Sequence, residues 1–340
     1  MSKKSLNVLN LKSILKKSKK ISEIYSSFKF RLEKTIKKKT FVVGVSGGPD
    51  SLALAALSKM YQHEHRVKVF FVLIDHAIRR NSKNEASFVK KLLRKKGINI
   101  TIIRNKERIE KNVQNKARKV RYGLLSEYCE RKKARFILTG HHSDDQIETF
   151  LIRLSRGSGI QGLSSMNKIT KLNSKVSLIR PLLDFKKKDL AFIARKVFGK
   201  FIVDPSNKDT KYLRTKVRSL KKELEKSGIH HDKIMRSINN LASTRDTLNN
   251  YLERIIESCV EKRRNETLIN LKKLFLESNE IKFKILSSAI KDFSKSYYPP
   301  RSKKVFNALK QFNSDKKIKL TLGGCFLEKS GDYLSIRKEV

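Results

Sequence analysis

The stretch FVVGVSGGPDSLALAALSKMY, residues 41–61, limits the choice of fold more than any other part of the chain. An apolar run over 41–45 reads as a strand, and the residues from Pro49 to about Tyr61 read as a helix. Proline suits the first helical position because its missing N–H would be unpaired there anyway. A strand that feeds a glycine turn and then a helix aims several backbone amides at one point, which is a common way to hold a phosphate. Here the amides of Gly47, Gly48, Asp50 and Ser51 can face such a group, with Ser46 opening the turn. The glycines let the group come close to the backbone. The usual phosphate loop ends in Gly-Lys-Ser or Gly-Lys-Thr, whereas this one continues into Pro49 and Asp50. An acid there repels a bare phosphate unless Mg2+ lies between them or the group it meets is not the terminal phosphate. The loop therefore points to attack at an α-phosphate with pyrophosphate leaving. A plain glycine turn with an acid against the helix dipole is the competing reading. It accounts for a lone Gly-Gly better than for the whole strand–loop–helix unit.

The same alternation continues along the chain. VKVFFVLID, INITIIR and ARFILTG read as strands, and SLIRPLL as a fifth. Between them, NEASFVKKLLRKKG is a helix closed by Gly97, and Val113, Ala117, Val120, Leu124 and Tyr128 recur at helical spacing. DDQIETFLIRLSR and FKKKDLAFIARKVFG are further helices, and residues 22–38 form a basic helix ahead of the first strand. The predicted class is α/β, a Rossmann-like parallel sheet covered on both faces. VDPSNKD is turn chemistry, a basic helix follows over about 212–226, and residues 229–264 are helical. The end, IKLTLGGCFLEKSGDYLSIRK, reads as two or three antiparallel strands with glycine turns. The expected organisation is a basic extension and helix (1–38), a nucleotide-binding catalytic domain (39–211), and a helical linker with a small α+β C-terminal domain (212–340). Ligands of open parallel sheets bind outside the carboxyl ends of the strands. That rule gathers the Ser46–Ser51 loop, Asp75 and His76, Arg118 to Arg121, and His141 to Glu148 at one edge.

A formal charge of +47 and a pI near 10.3 call for a polyanionic partner rather than a small anion. An A+T-rich genome placing lysine at tolerant positions explains part of this excess, and the two explanations are compatible. Cys129, Cys259 and Cys325 lie far apart with no Cys-x-x-Cys, so the sequence gives no support for zinc, iron–sulfur or dithiol chemistry. Few cysteines suit a reducing compartment. No apolar run reaches membrane-spanning length. The first 22 residues hold seven lysines and no acid, which reads as an RNA-touching arm or a solvated tail.

Several segments together carry a resemblance. SGGPDS after a strand is similar to the loop of the PP-loop ATP pyrophosphatases. IDHAIRRNSKNEASFVKKL, VQNKARKVRYGLL, TGHHSDDQIETFLIRLSRGSGIQGLSSM, IRPLL and VDPSNKD resemble the tRNA(Ile)-lysidine synthases within that superfamily, over roughly residues 41–218. The resemblance implies ATP and Mg2+ as cofactors, and as partners a tRNA(Ile) with a CAU anticodon and free L-lysine. It implies that ATP activates C2 of cytidine 34 and that lysine then displaces AMP. It further implies that Asp50 works with Mg2+ on the phosphates, that Arg121 faces the α-phosphate, and that Asp145 and Glu148 face lysine. Asp145 and Glu148 are three apart on the predicted helix and so share a face; Mg2+ binding is the other reading of that pair. Arg118, one turn before Arg121, is the weaker cation. Asp75 and His76 are expected at the wall of the adenine or substrate pocket, with a strand-end cap as the alternative, and His141 as a nucleotide contact or a base. Asp144 reads as a first-turn acid with Ser143 as helix cap, and His142 as a packed neighbour. After DPSNKDTKYL the family pattern Arg-Asn-Arg is replaced by Arg214, Thr215 and Lys216, with Arg218 beyond. A cytoplasmic location is expected, or the plastid stroma if the chain is organelle-encoded. A homodimer is an expectation that no residue specifies. The rival readings are a tRNA thiolation enzyme, which would need sulfur handling, and a non-catalytic basic RNA-binding protein.

Overall fold

The computed structural model describes residues 13, 18–78, 81–107, 113–202, 213–294, 300–314 and 316–339. Most of the expected basic arm, Arg79 and Arg80, and the VDPSNKD turn lie outside the described residues. The chain divides into two compact units, one running to Ala242 and the other starting at Ser243.

The first unit contains α1 (Lys19–Ile36), β1 (Phe41–Gly44), α2 (Pro49–His65), β2 (Val69–Asp75), α3 (Ser82–Arg94), β3 (Ile100–Arg104), α4 (Val113–Arg131), β4 (Phe136–Leu138) and α5 (Ser143–Leu154). It continues through α6 (Ile160–Leu163), β5 (Ile169–Lys171), β6 (Ser177–Ile179), α7 (Lys187–Phe198), α8 (Leu213–Ser219), α9 (Lys221–Lys226) and the start of α10 (His231–Cys259). The strands form one sheet in the order β3-β2-β1-β4-β6-β5, parallel except for β5, which the sequence did not reveal. Successive side chains of a strand point to opposite faces. Phe41, Val43 and Val45 accordingly join a core with α1, α2, α3 and α7, while Val42 joins Leu125, Cys129 and Ile137 on the face covered by α4. The chain leaves β1 for β2 on one side and returns to β4 on the other. The crevice at such a switch point is where open α/β sheets bind ligands.

Helix α1 buries Ile21, Phe28, Leu32 and Ile36 in the sheet's core, and the Tyr25 hydroxyl donates to Glu64 at 2.9 Å. It is thus an integral layer of the first unit. The basic helix expected over 212–226 is two helices, α8 and α9, interrupted at Leu220. The helix expected to reach residue 264 stops at Cys259, because Val260–Lys262 forms a strand, β7, against β8 (Thr267–Asn270). The compact units divide inside α10.

The second unit has an antiparallel sheet in the order β7-β8-β11-β10-β9, with β9 (Ile318–Leu322), β10 (Cys325–Ser330) and β11 (Tyr333–Lys338). Its core joins Ile269, Leu327, Leu334 and Ile336 of the sheet to Ile285 and Ile290 of α12 (Asn279–Ser294) and Val305 and Phe312 of α13 (Ser302–Phe312). The short α11 (Leu271–Phe275) adds Leu271 and Leu274.

Gly47 has φ +87°, and a Cβ there would lie 2.5 Å from Val89 Cγ2 and 3.0 Å from Ile202 Cδ1. Its carbonyl accepts the Ile202 amide at 3.0 Å, so the turn cannot swing away freely. Gly48 has φ −74°, and its nearest obstacle would be Ser46 Oγ at 3.9 Å. Gly47→Ala is expected to cost about 1–3 kcal/mol through left-handed backbone strain. Gly48→Ala should cost under about 1 kcal/mol, the scale of a helix-cap change. Denaturant midpoints of the two variants measure the difference, and equal losses would contradict this account of the loop.

Candidate active site

The loop after β1 is tied by its own serines. Ser51 Oγ donates to the Gly48 carbonyl at 3.0 Å and accepts the Ser46 amide at 3.1 Å, with Ser46 Oγ 3.2 Å away. Pro49 opens α2 and Asp50 lies in its first turn. The turn after β4 presses on this point: a Cβ on Gly140 would stand 3.0 Å from both the carbonyl carbon and oxygen of Asp50. Only a residue without a side chain lets the two turns meet so closely. Asp50 then reaches His142, with Oδ2 3.4 Å from Nε2, while its Oδ1 is buried with no hydrogen-bond partner among the described residues.

His142, not Ser143, is the N-cap of α5. Its Nδ1 accepts the Asp145 amide at 3.4 Å, and the Asp145 carboxylate accepts the His142 amide at 3.1 Å, a reciprocal cap. Ser143 Oγ instead donates to the Phe185 carbonyl at 2.9 Å. His142 Nε2 is also 3.6 Å from Asp145 Oδ2, so one imidazole bridges carboxylates from α2 and α5. Burial disfavours its cation, but the hydrogen bond to Asp50 and the charges of Asp145, Asp50 and Asp144 outweigh burial and raise its pKa. With its proton on Nε2, His142 faces the Asp50 and Asp145 carboxylates while Nδ1 accepts the Asp145 amide, which eases the repulsion between these acids.

Asp145 and Glu148 share one flank of α5 as the spacing predicts, and each has a partner. Glu148 is buried and receives a two-point contact from Arg218 of α8, Nε to Oε1 at 2.5 Å and Nη2 to Oε2 at 3.1 Å. Asp144 accepts Lys221 Nζ at 2.8 Å and the Lys187 amide at 3.0 Å. Burial opposes its ionised form, but those two bonds prevail and hold its carboxyl at about 2. A cavity of about 280 Å³ lies against this flank, lined by Ile147, Leu151, Val217 and Leu224, with Glu148 and Arg218 among its polar residues.

The rest of the edge is cationic. Arg118 and Arg121 of α4 both lie over the Tyr122 ring, at 5.0 and 5.2 Å. His141 Nδ1 is 2.9 Å from Thr139 Oγ1. Burial and then the charges of Arg180, Arg118, Arg121 and Arg214 push His141 well below its ordinary pKa, so it is neutral. His76 is lowered too, by burial and Arg121, with Asp75 opposing. Asp75 caps the strand end: its Oδ1 accepts the Ala77 amide at 3.0 Å, and its Oδ2 is 4.0 Å from Arg104 Nε. Two adjacent histidines thus mark a division, with acids around His142, whose pKa they raise, and arginines around neutral His141.

Sequence reasoning missed His142 and Arg218. The His142-to-Asp145 spacing of three was the available signal for the cap. The Glu148–Arg218 pair spans 70 positions and has no local signal. The candidate site fits Mg2+ in one respect. Mg2+ commonly takes only one or two carboxylates and completes its shell with phosphates and water, and Asp50 offers one unpaired buried oxygen. No group of three His, Cys, Asp or Glu suited to hold a metal occurs among the described residues.

A group with a lowered folded pKa contributes stability above its unfolded value, near 3.9 for aspartate, and loses it as pH falls through the folded value. For Asp144 that window runs from about pH 4 down to about 2. Lys221→Met removes the first favourable partner, so the variant should be less stable at pH 5 and should lose less stability between pH 5 and 3. Urea unfolding at the two pH values checks this. An unchanged slope would show that the Lys221 contact has no effect on Asp144.

Residues 15–224 match the PP-loop domain family of ATP-binding proteins. The tRNA(Ile)-lysidine synthase of Wolbachia pipientis is 34% identical over 304 residues, covering 87% of this chain and 70% of that protein. The enzyme of the same name from Orientia tsutsugamushi is 34% identical over 310 residues, covering 87% and 69%. The Zymomonas mobilis enzyme is 40% identical over 186 residues, 53% of this chain and 55% of that one. Among solved structures, the U34-tRNA thiolase of Methanococcus maripaludis, which carries a [4Fe-4S] cluster, superposes with a TM-score of 0.52 at 21% identity. That match covers 64% of this chain and 78% of the thiolase, and it supports the fold alone. Among the described residues no helix is long and apolar enough to cross a membrane. With a PP-loop domain over most of its first unit and a third of its residues shared with these enzymes across most of its length, the chain belongs to the tRNA(Ile)-lysidine synthase family, ATP-using ligases that act on tRNA.

Proposed function

We propose that the chain joins free L-lysine to C2 of cytidine 34 in the CAU anticodon of tRNA(Ile), so that a codon reader for AUG becomes one for AUA. The C2 carbonyl oxygen first attacks the α-phosphate of ATP, giving an O-adenylated base and pyrophosphate. The lysine amine then attacks C2, and AMP leaves. The observation that carries this reading is the meeting of the glycine loop and the acidic flank of α5 at one histidine, His142.

The loop amides of Gly47, Gly48 and Ser51 receive phosphate oxygens, and Arg121 faces the α-phosphate, where negative charge develops. Asp50 would hold Mg2+ through its unpaired oxygen, and the ion when bound supplies charge neutralisation for the departing pyrophosphate. Asp75 fixes the turn that carries His76, and His76 and neutral His141 wall the nucleotide pocket. Asp145 and Glu148 receive the lysine ammonium, and a carboxylate there takes up the proton that the amine sheds before attack. The apolar cavity beside Glu148 suits a four-carbon stem ending in a cation. The +47 charge suits the tRNA backbone. The target base is the same in any CAU anticodon, so the pocket alone cannot choose the tRNA. We assign the reading of other tRNA features to α8, α9 and the second unit.

The thiolation alternative is disfavoured by the state of the thiols. Cys129, Cys259 and Cys325 are all buried and free. Burial pushes Cys129 up to about 12 and raises the other two. Such thiols are poor nucleophiles and poor sulfur carriers. They suit the reducing cytoplasm.

Purified protein mixed with ATP, labelled lysine and a tRNA pool should place lysine in RNA, on the CAU isoleucine tRNA and not on the methionine tRNA with the same anticodon. Asp50→Asn should reduce turnover by about 10²–10³, the usual cost of one preorganised charge contact. Asp145→Asn should raise the apparent KM for lysine about tenfold, as loss of one charge-assisted hydrogen bond implies. Label absent from RNA with wild-type protein would refute the reading, and near-normal turnover of Asp50→Asn would refute the role of that residue.

A further inference from the structure

Arg180 follows β6 directly, beside the turn that carries His141. The Thr139 amide donates to the Ile179 carbonyl at 3.1 Å, and the Arg180 amide donates to Lys168 at 2.8 Å. Only 5% of Arg180 is exposed, and arginines buried to this degree are normally paired with a carboxylate. It meets neutral acceptors: Nη1 donates to the Asn167 carbonyl at 2.7 Å and to Thr170 Oγ1 at 2.8 Å. Nε has no hydrogen-bond partner among the described residues, and neither does the buried Nε of Arg121. No ion pair of Arg180 or Arg118 with an acid occurs among the described residues, although the neighbouring flank of α5 is rich in acids.

We propose that Arg180 and Arg118 form a second phosphate-binding pocket at this edge, distinct from the glycine loop. The guanidinium fork matches phosphate oxygens at two points, and a buried fork with an unused N–H is set for such a ligand. The surroundings agree. Burial lowers the pKa of Arg180, with Tyr122 opposing and Arg118 reinforcing the effect. Burial, and then the charges of Arg180, Arg118, Arg121 and Arg214, keep His141 neutral, so this edge is already a field of positive charge. An incoming oxyanion would supply the missing counter-charge and the missing acceptor together. Phosphate of this kind has two sources in the reaction proposed above, on which this inference rests. One is the pyrophosphate released from ATP, and the other is the RNA phosphodiester next to the target nucleotide.

Two binding measurements on the full chain separate these sources without requiring turnover. One is the affinity for inorganic pyrophosphate, and the other is the slope of log Kd against log salt for an unmodified tRNA. Arg180→Gln, Arg180→Lys and Arg118→Gln are compared with wild type, and thermal melting verifies folding. If the phosphate belongs to the RNA, each Gln variant should flatten the salt slope by about 0.7–0.9, the loss of one contact, with pyrophosphate affinity unchanged. If it is pyrophosphate, its affinity should fall about tenfold with the slope unchanged. Arg180→Lys keeps the charge but loses the fork, so it should show a partial effect. A purely structural Arg180 would lower the melting temperature and leave both binding readouts intact. Arg118→Gln keeps the Asn167 and Thr170 contacts and so remains informative if Arg180→Gln does not fold. Folded variants that bind pyrophosphate and tRNA like wild type would overturn the proposal. Wild-type binding that responds to these arginines, with no lysine entering RNA, would instead place the failure in the proposed reaction.

Discussion

The contact on which the edge of the first unit depends is that of Gly140 with the backbone of Asp50 and Ser51. A Cβ at residue 140 would be 3.0 Å from two Asp50 backbone atoms and 3.1 Å from the Ser51 amide nitrogen. Protein interiors transmit such displacements because they are close-packed. With the two turns touching, His142 at the head of α5 comes within reach of Asp50 at the head of α2. Two helix N-termini, each carrying an acid, then share one imidazole. The imidazole between them eases the repulsion between the Asp50 and Asp145 carboxylates.

Adjacent histidines face opposite fields. His142 is drawn towards its protonated form by Asp50, Asp145 and Asp144, and His141 is held neutral by burial and four arginines. This polarity suits a reaction that combines a polyphosphate with a cationic amine. In the proposed reaction the arginines and loop amides would take the phosphates, and the carboxylates the ammonium. Electrostatic stabilisation set in place before the reaction needs no reorganisation when charge moves. Arg218 reaches from α8 to Glu148, so α8 also takes part in the acidic half.

Much of this was legible in the sequence. The strands of the central sheet announce themselves as apolar runs ended by turn residues, and the SGGPDS loop is local in every respect, from its glycines to the proline at the first helical position. The pairing of Asp145 with Glu148 on one flank follows from helical spacing alone. The cap was misread because serine is a preferred N-cap and histidine is not. β5 and β7 are three-residue edge strands, each paired with the strand that follows it, and three residues are too few for an alternating pattern to stand out. The division inside α10 falls in a helix without a glycine or proline near it, so composition gives no boundary there. Arg218 and Arg180 reveal themselves only through burial and long-range contact, which is where single-sequence reasoning stops.

The central claim is that an acid in the glycine loop and an arginine-lined edge direct attack to the α-phosphate and not to the terminal one. Phosphorus NMR of the reaction with ATP, lysine and tRNA tests this most directly. The account predicts one AMP and one pyrophosphate for each lysine joined to RNA. ADP and orthophosphate appearing in proportion to modified tRNA would contradict it.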